Sequence, residues 1–293
     1  MIVYLNGSYL PAAAAQVSVF DGGYLYGDGI YTTLRLYRGW PLDLAAHHLR
    51  LTSQTSQLKI GFDLGLDDLR DIIAELVRQN DLTAADGRLR ITVSRAGNSE
   101  TPLPLSGLPL LPTTVTMMLS PVSPNLVRWQ TNGIPVICLG PDYARGNFPE
   151  LKTLNALATI SALRQAAAAD CPEALLTGRD GRLLEGAVSN LFLVAAGSLL
   201  TPRIEGGFLA GRTRERILEI AANCQVPVRE ETIPRRRLAT ADEVFVVSSV
   251  REVLPVITVD GQALGNGSPG PLTRRIQAEY QALIAQDLAT QTD

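Results

Sequence analysis

The chain has 293 residues, of which 46% are hydrophobic and 19% are charged, and its formal net charge is −3. This length suffices for one large domain or two medium ones, and the composition argues against a disordered chain. The slightly acidic balance gives no general attraction to nucleic acid or to an anionic membrane surface.

The first part of the chain, residues 1–120, predicts an α+β domain. β-Branched and aromatic residues predict strands, and apolar residues at helical spacing predict helices. The predicted strands are Ile2–Leu5, a segment around Val17 and Val19, Ile30–Tyr37, Arg88–Arg95 and Thr113–Leu119. The predicted helices are Leu44–Leu58, with Asp43 as N-cap, and residues 69–77. Gly27-Asp28-Gly29 is typical of a hairpin turn, and Ser99–Pro112 of a loop.

Prolines and serines around residues 121–125 predict a linker, after which strands and helices alternate over residues 126–293. This alternation is typical of an α/β domain. The expected strands are Ile134–Leu139, Glu173–Thr177, Leu191–Val194 and Glu243–Val247, and the expected helices are Thr153–Ala169, Gly211–Ala222 and Pro271–Leu288.

Several common classes of site have no pattern in this chain. The two histidines, His47 and His48, are adjacent on a predicted helix and point in different directions, so we expect no metal site. Three widely spaced cysteines cannot all pair within one chain and favour a reducing cytoplasm. We also expect neither a signal peptide nor a membrane span.

The chain uses arginine for almost every positive charge. Only Lys59 and Lys152 among its 26 Lys and Arg residues are lysine. Lysine, unlike arginine, can lose its proton and attack a carbonyl, so one hypothesis is a Schiff base with the aldehyde of pyridoxal 5′-phosphate (PLP). The alternative for either lysine is a solvated surface cation.

Two further features would suit that chemistry. Glu185, between apolar segments, could pair with a pyridinium nitrogen, or it could be a glutamate of a surface turn. Gly211, Arg212 and Thr213 at a predicted helix start could bind a phosphate through free amides and a hydroxyl, or they could simply cap the helix.

The order of these features suggests a family. The segments VYLNG, VSVFDGGYLYGDGIYTTLRLY, HHLRL, LKTLN, LLEGAVSNLF, LAGRTRERIL and DEVFVVSSVREVLPVITVDG follow one another along almost the whole chain. In them the chain resembles the class IV aminotransferases, the fold-type IV PLP enzymes. That family includes branched-chain aminotransferases, D-amino-acid aminotransferases and 4-amino-4-deoxychorismate lyase. The resemblance implies an α/β fold of two domains with PLP between them, the second being the PLP-binding domain.

The resemblance also implies roles for individual residues. Lys152 would be the catalytic residue, which binds PLP and moves a proton between the substrate Cα and the cofactor, and Glu185 would pair with the pyridine nitrogen. The residues implied for the PLP phosphate are Arg50, Arg212, Thr213 and Ser249, and those implied for the substrate are Tyr31, Arg35 and Arg95.

The motifs leave the substrate open. Thr32 and Thr33 replace the Glu-Gly pair of the branched-chain pattern, although some lyases of the family have such a Thr-Thr pair. Arg95 is not followed by the Arg-x-His of D-amino-acid enzymes. Leu157 stands at about the position of a tyrosine that contacts the cofactor in branched-chain enzymes.

We therefore predict a PLP-dependent aminotransferase that moves the amino group of a small amino acid to a 2-oxo acid through a Lys152 Schiff base. The first alternative is 4-amino-4-deoxychorismate lyase, which releases pyruvate and 4-aminobenzoate. The second is a non-catalytic binding protein on the same fold. Family membership further implies a cytoplasmic homodimer with small-molecule substrates, and neither nucleic acid nor membrane as a partner.

Overall fold

A computed structural model describes residues 1–97, 112–143, 148–204 and 207–290. It divides into two compact units, one of Met1–Val122 with Leu151–Asn155 and the other of Ser123–Glu150 with Ala156–Asp293. The expected boundaries place Leu151–Asn155 in the second domain, whereas its contacts place it in the first unit. Whether the two units fold as separate domains stays a prediction.

The first unit is built on an antiparallel sheet with the strand order β2-β1-β6-β5-β3-β4. Its strands are β1 (Ile2–Leu5), β2 (Ser8–Pro11), β3 (Gly29–Tyr37), β4 (Trp40–Pro41), β5 (Gly87–Arg95) and β6 (Thr113–Pro121). Its helices are α1 (Gly22–Tyr26), α2 (Leu44–Gln57) and α3 (Leu66–Gln79).

One face of this sheet packs against α2 and α3. Side chains alternate along a strand, so Ile30, Leu34 and Leu36 of β3 all point into the core, where they are fully buried. They meet Leu51 of α2 and Ile73 of α3 there. The intervening β3 residues, at positions 31, 33 and 35, therefore face the opposite side of the sheet and are not part of this core.

Two expectations for the first unit are wrong in detail. The segment around Val17 and Val19 is not a strand, and Gly27-Asp28-Gly29 is not a hairpin turn. Instead, Asp21 accepts hydrogen bonds from two backbone amides and begins α1, which ends at Gly27 with a left-handed φ of 70°. Asp43 does precede α2, but its side chain makes no capping hydrogen bond. Of the predicted loop Ser99–Pro112, residues 99–111 lie outside the described residues.

The second unit is built on a mixed sheet with the order β12-β11-β10-β13-β14-β7-β8-β9, in which β15 also pairs with β14. Its strands are β7 (Ile134–Leu139), β8 (Glu173–Thr177), β9 (Leu183–Gly186), β10 (Asn190–Ala195), β11 (Ser198–Pro202), β12 (Val228–Glu231), β13 (Glu243–Ser248), β14 (Glu252–Val259) and β15 (Gln262–Ala263). Its α-helices are α4 (Leu126–Asn132), α5 (Leu157–Ala168), α6 (Arg212–Asn223) and α7 (Pro271–Ala289). The expected α/β class is confirmed.

Helix α5 begins four residues later than the composition predicts, at Leu157 rather than Thr153. Residues 152–155 are not helical because the backbone of Lys152 and Leu154 bonds to Tyr31 and Gly29 of β3. Among the described helices, none is long and apolar enough to span a membrane.

Candidate active site

Lys152 covers an open edge of the first sheet. Strand β4 pairs only with Leu36 and Tyr37, which leaves the first half of β3 with a free edge. The Lys152 carbonyl accepts a hydrogen bond from the Tyr31 amide at 2.9 Å, and the Leu154 amide donates to the Gly29 carbonyl at 3.0 Å. The sheet therefore holds the Lys152 backbone in the way it holds an edge strand. This fixes the position of the Cα from which the half-buried side chain extends.

Helix α2 holds the same segment from the other side. The buried Gln54 side chain accepts a hydrogen bond from the Lys152 amide at 3.0 Å. Residues four apart lie on one face of a helix, so the half-buried Arg50 shares the face of Gln54 that meets the lysine segment. Two predicted residues, Arg50 and Lys152, thus both belong to the first unit, with Arg50 on the face of α2 from which Gln54 contacts Lys152.

Tyr31 lies against two cations. The Lys152 Nζ is 4.8 Å from the centre of its ring, and the Arg90 guanidinium carbon is 3.7 Å from it. The Arg90 Nε donates to the Thr92 hydroxyl at 3.2 Å, and burial lowers the pKa of the Arg90 guanidinium. Arginine nevertheless stays charged in proteins, so the Tyr31 ring contacts a fixed positive group as well as the lysine amine.

The other two predicted substrate residues lie elsewhere. Arg35 is on the Tyr31 face of β3, but four residues along a strand span about 13 Å, and its guanidinium pairs with Asp86 at 2.6 Å. Arg95 is on the opposite face, where its guanidinium bonds to Asp28 at 2.7 Å and to the carbonyls of Leu58 and Lys59. The structure does not bring Arg95 to Tyr31, and a substrate contact for it stays a prediction.

In the second unit, Glu185 is a buried carboxylate on β9, exposed by only 3%. The expected alternative of a surface-turn glutamate is therefore wrong. The turn that follows it is tight, because the Gly186 amide donates to the Ser189 carbonyl at 2.7 Å. A Cβ on Gly186 would lie 2.1 Å from the Ser189 hydroxyl, so any larger residue would displace Ser189.

The buried Asn190 joins this turn to the start of α6. Its side-chain oxygen accepts from the Gly211 amide at 3.1 Å, and its side-chain nitrogen donates to the Leu209 carbonyl at 2.8 Å. In the sheet Asn190 also pairs with Val247, near the end of β13. The turn with Ser249, two residues beyond Val247, is therefore at the same edge of the sheet as the α6 N-terminus.

The N-terminus of α6 offers hydrogen-bond donors. Gly211 is its N-cap, and no side chain caps the first-turn amides. Within the described chain, the hydroxyls of Thr213 and Ser249 have no hydrogen-bond partner, although Thr213 is only 3% exposed. The Arg212 guanidinium pairs with Glu215 of its own helix at 2.9 Å, and the Arg212 backbone amide is in the first turn of α6.

A fully buried carboxylate, Glu173, supports the turn from behind. It accepts hydrogen bonds from the Ser189 hydroxyl at 2.9 Å and from Arg251 at 3.3 Å. Burial raises the pKa of the Glu173 carboxyl, while Arg251 and the hydrogen bonds oppose this rise. No group of three or more His, Cys, Asp and Glu side chains suited to a metal ion occurs among the described residues.

The groups found in each unit, taken by itself, suit parts of PLP. A helix N-terminus without a side-chain cap, together with two hydroxyls lacking partners, suits a phosphate dianion. A buried carboxylate suits the ring nitrogen, and a lysine with a fixed backbone suits the aldehyde. The fold and these groups define a fold-type IV PLP enzyme.

The chain belongs to amino-transferase class IV, whose family model matches residues 29–259. It is 30% identical to a D-alanine aminotransferase of Bacillus licheniformis over 289 residues, which cover 99% of each chain. It is also 29% identical to an aminodeoxychorismate lyase of Bacillus subtilis, covering 97% of this chain and 94% of the relative. The crystal structure of a branched-chain aminotransferase of Escherichia coli matches with a TM-score of 0.87 and 26% identity over 96% and 94% of the two chains.

These comparisons confirm the predicted family, the fold-type IV fold, the enzyme class and PLP as cofactor. The roles of individual residues stay predictions.

Sequence reasoning missed Gln54, Arg90, Asn190 and Glu173. The strand pattern contained a signal for Arg90, because Arg88, Arg90 and Thr92 alternate with the apolar core residues of β5. Gln54 had none, since its partner is 98 residues away.

Proposed function

We propose that the protein is an aminotransferase that moves the amino group of a small amino acid to a 2-oxo acid, with Lys152 as its nucleophile and proton carrier. The observation that carries this proposal is the placement of Lys152. Its backbone is fixed on the β3 edge and by α2, and its amine lies 4.8 Å from the Tyr31 ring. Lys59, by contrast, is exposed at the end of α2 with a left-handed φ of 54°.

When bound, PLP supplies an aldehyde for covalent attachment to an amine and a ring that accepts electron density from the substrate Cα. We assign the ring nitrogen to the Glu185 carboxylate, which burial keeps away from water. The proposed phosphate donors are the amides at the start of α6, including that of Arg212, the hydroxyls of Thr213 and Ser249, and Arg50.

Tyr31 and Arg90 would act on the substrate side. The Tyr31 ring lies against the Lys152 amine and keeps water from one side of it. The Arg90 guanidinium on the same ring presents two or more N–H groups to a carboxylate, which it can bind as a fork. With PLP bound, the Lys152 amine would be the base that moves a proton at the substrate Cα.

Borohydride trapping tests the nucleophile. Wild-type protein incubated with PLP and sodium borohydride should gain one phosphopyridoxyl group, located at Lys152 by peptide mass spectrometry. Lys152→Ala should lose this group and its yellow colour, whereas the control Lys59→Ala should keep both. Trapping at Lys59 in the Lys152→Ala protein would show that the assignment is wrong.

A donor screen tests the reaction. Both enantiomers of several amino acids, glutamate and alanine among them, are mixed with the PLP-loaded protein without an acceptor. Aminodeoxychorismate is tested in the same way in a separate sample. An aminotransferase accumulates pyridoxamine 5′-phosphate in the stoichiometric half-reaction. If aminodeoxychorismate alone reacts, and pyruvate is released without any pyridoxamine form, the protein is a lyase instead.

We further propose that the protein forms a homodimer in the cytoplasm. The support for the dimer is a group of exposed apolar side chains in and before α1, in which Val19 is 65% and Tyr24 is 73% exposed. Exposed apolar side chains that lie close together commonly mark a protein interface. Light scattering on the wild type and on Val19→Asp/Tyr24→Asp tests this proposal, since a dimeric wild type and a monomeric variant are expected.

A further inference from the structure

We infer that Gln54 is a positioning residue for Lys152, and that its side-chain carbonyl sets the place of the reactive amine. This inference rests on the proposed function of Lys152. Gln54 is a polar residue on the buried face of α2, it is only 8% exposed, and it bonds to a backbone 98 residues away.

The hydrogen-bond pattern of the β3 edge explains why a side chain is needed. The Lys152 carbonyl and the Leu154 amide both point toward β3. In an extended segment the amide and the carbonyl of one residue point the same way, whereas here the Lys152 amide bonds to α2 rather than to the sheet. A donor in this part-buried place needs a partner, because leaving it without one costs about 1–3 kcal/mol.

Helix α2 meets the rest of the first unit at a second polar contact on the same face. The buried His47, seven residues before Gln54, has its Nδ1 2.6 Å from the Thr32 hydroxyl of β3. Residues 47, 50 and 54 share one face of the helix, so Arg50 lies between the two contacts. Gln54 therefore fixes Lys152 relative to the same helix that carries a proposed phosphate donor.

The length of the glutamine side chain matters in this arrangement. Its Oε1 reaches the Lys152 amide at 3.0 Å across the gap between α2 and the edge segment. Gln54→Met keeps the length and removes the acceptor, Gln54→Ser keeps polarity and removes the reach, and Gln54→Glu keeps both. Gln57→Met on the exposed side of α2 is the matched control.

The four variants are loaded with PLP and compared in three measurements. These are the rate constant of the half-reaction with an accepted amino acid, the pH midpoint of the visible absorbance band, and the PLP Kd. Because misplacing a reacting group by about 1 Å can cost on the order of 100-fold, we expect Gln54→Met and Gln54→Ser to react about 10- to 100-fold more slowly and to shift the pH midpoint. The rate constant of Gln54→Glu should exceed that of Gln54→Met by about tenfold.

The inference is wrong if Gln54→Met matches Gln57→Met in both rate and pH midpoint, or if Gln54→Glu is as slow as Gln54→Met. Circular dichroism melting checks that each variant is folded. If Gln54→Met does not fold, the same criteria apply to Gln54→Ser. Failure of the proposed function is a separate outcome, since the wild type itself would then not be trapped by borohydride at Lys152.

Discussion

Gly211 at the start of α6 offers a direct test of the proposed phosphate site. A Cβ at this position would lie 2.1 Å from the Asn190 Oδ1, whereas real Cβ contacts are longer than 3.0 Å. Gly211→Ala must therefore move the first turn of α6 or the Asn190 side chain by about 1 Å. The φ of Gly211 is −79°, which alanine adopts freely, so the perturbation comes from packing alone.

Two energies follow from this geometry. Overpacking costs about 1–3 kcal/mol, and loss of the hydrogen bond from the Gly211 amide to Asn190 costs about 1 kcal/mol more, so the PLP-free variant should be destabilised by about 2–4 kcal/mol. PLP binding should suffer separately, because the displaced amides are the proposed phosphate donors. Losing one charge-assisted hydrogen bond, worth about 1.5–3 kcal/mol, raises the Kd about 10- to 100-fold.

Absorbance titration with PLP, run well below the melting temperature, measures this Kd. Gly140→Ala is the matched control, because a Cβ at Gly140 meets nothing within 4 Å. If Gly211→Ala has a lower melting temperature but binds PLP with the wild-type Kd, the proposal that the start of α6 binds the phosphate is refuted.

Three further predictions concern groups around this framework. Burial raises the pKa of Glu173, so its contribution to stability is present below the unfolded value of about 4.3 and is lost as the pH rises through the folded value. Urea unfolding at several pH values should therefore show a loss of stability above about pH 4.3 that Glu173→Gln lessens, and parallel pH profiles would contradict this. Burial raises the pKa of Cys138 to about 11, so its alkylation should accelerate about tenfold per pH unit up to that value, and a plateau near pH 9 would disprove the shift. The Glu243 carboxylate accepts from the Leu272 and Thr273 amides at the start of α7, so Glu243→Ala should lower the free energy of unfolding by about 2 kcal/mol and Glu243→Gln by less. Equal losses in the two variants would refute this role.

The sequence predicts the elements whose signals are local. Strands β1, β5 and β8 and helices α2, α3, α6 and α7 are predicted from the residues within each element, and the structure agrees with the predicted bounds to within a few residues. The start of α5 was wrong because Thr153–Ala156 favours a helix locally, while its backbone partners are on β3.

Strand β5 contains two arginines, Arg90 and Arg95, and the sequence analysis selected Arg95. Arg95 stood out because it ends a strand next to a family motif. The pairing of Tyr31 with Thr92, and of Thr33 with Arg90, shows which residues of β5 are on the same side of the sheet as Tyr31, the predicted substrate residue. Since side chains alternate, Arg90 shares that side and Arg95, five residues later, does not. The alternation along β5 separates the two arginines, and the register with β3 adds that Arg90 is on the side of Tyr31.

The register also changes the meaning of the Thr32-Thr33 pair, which replaces the Glu-Gly of the branched-chain pattern. Thr32 is fully buried on the core face, where its hydroxyl contacts His47. It therefore cannot touch a substrate on the Tyr31 face, and its resemblance to the lyase pattern concerns packing rather than chemistry. Thr33 faces the other way, opposite Arg90 in the neighbouring strand. Of the two threonines, only Thr33 can bear directly on whether the substrate is a branched-chain amino acid, a D-amino acid or aminodeoxychorismate.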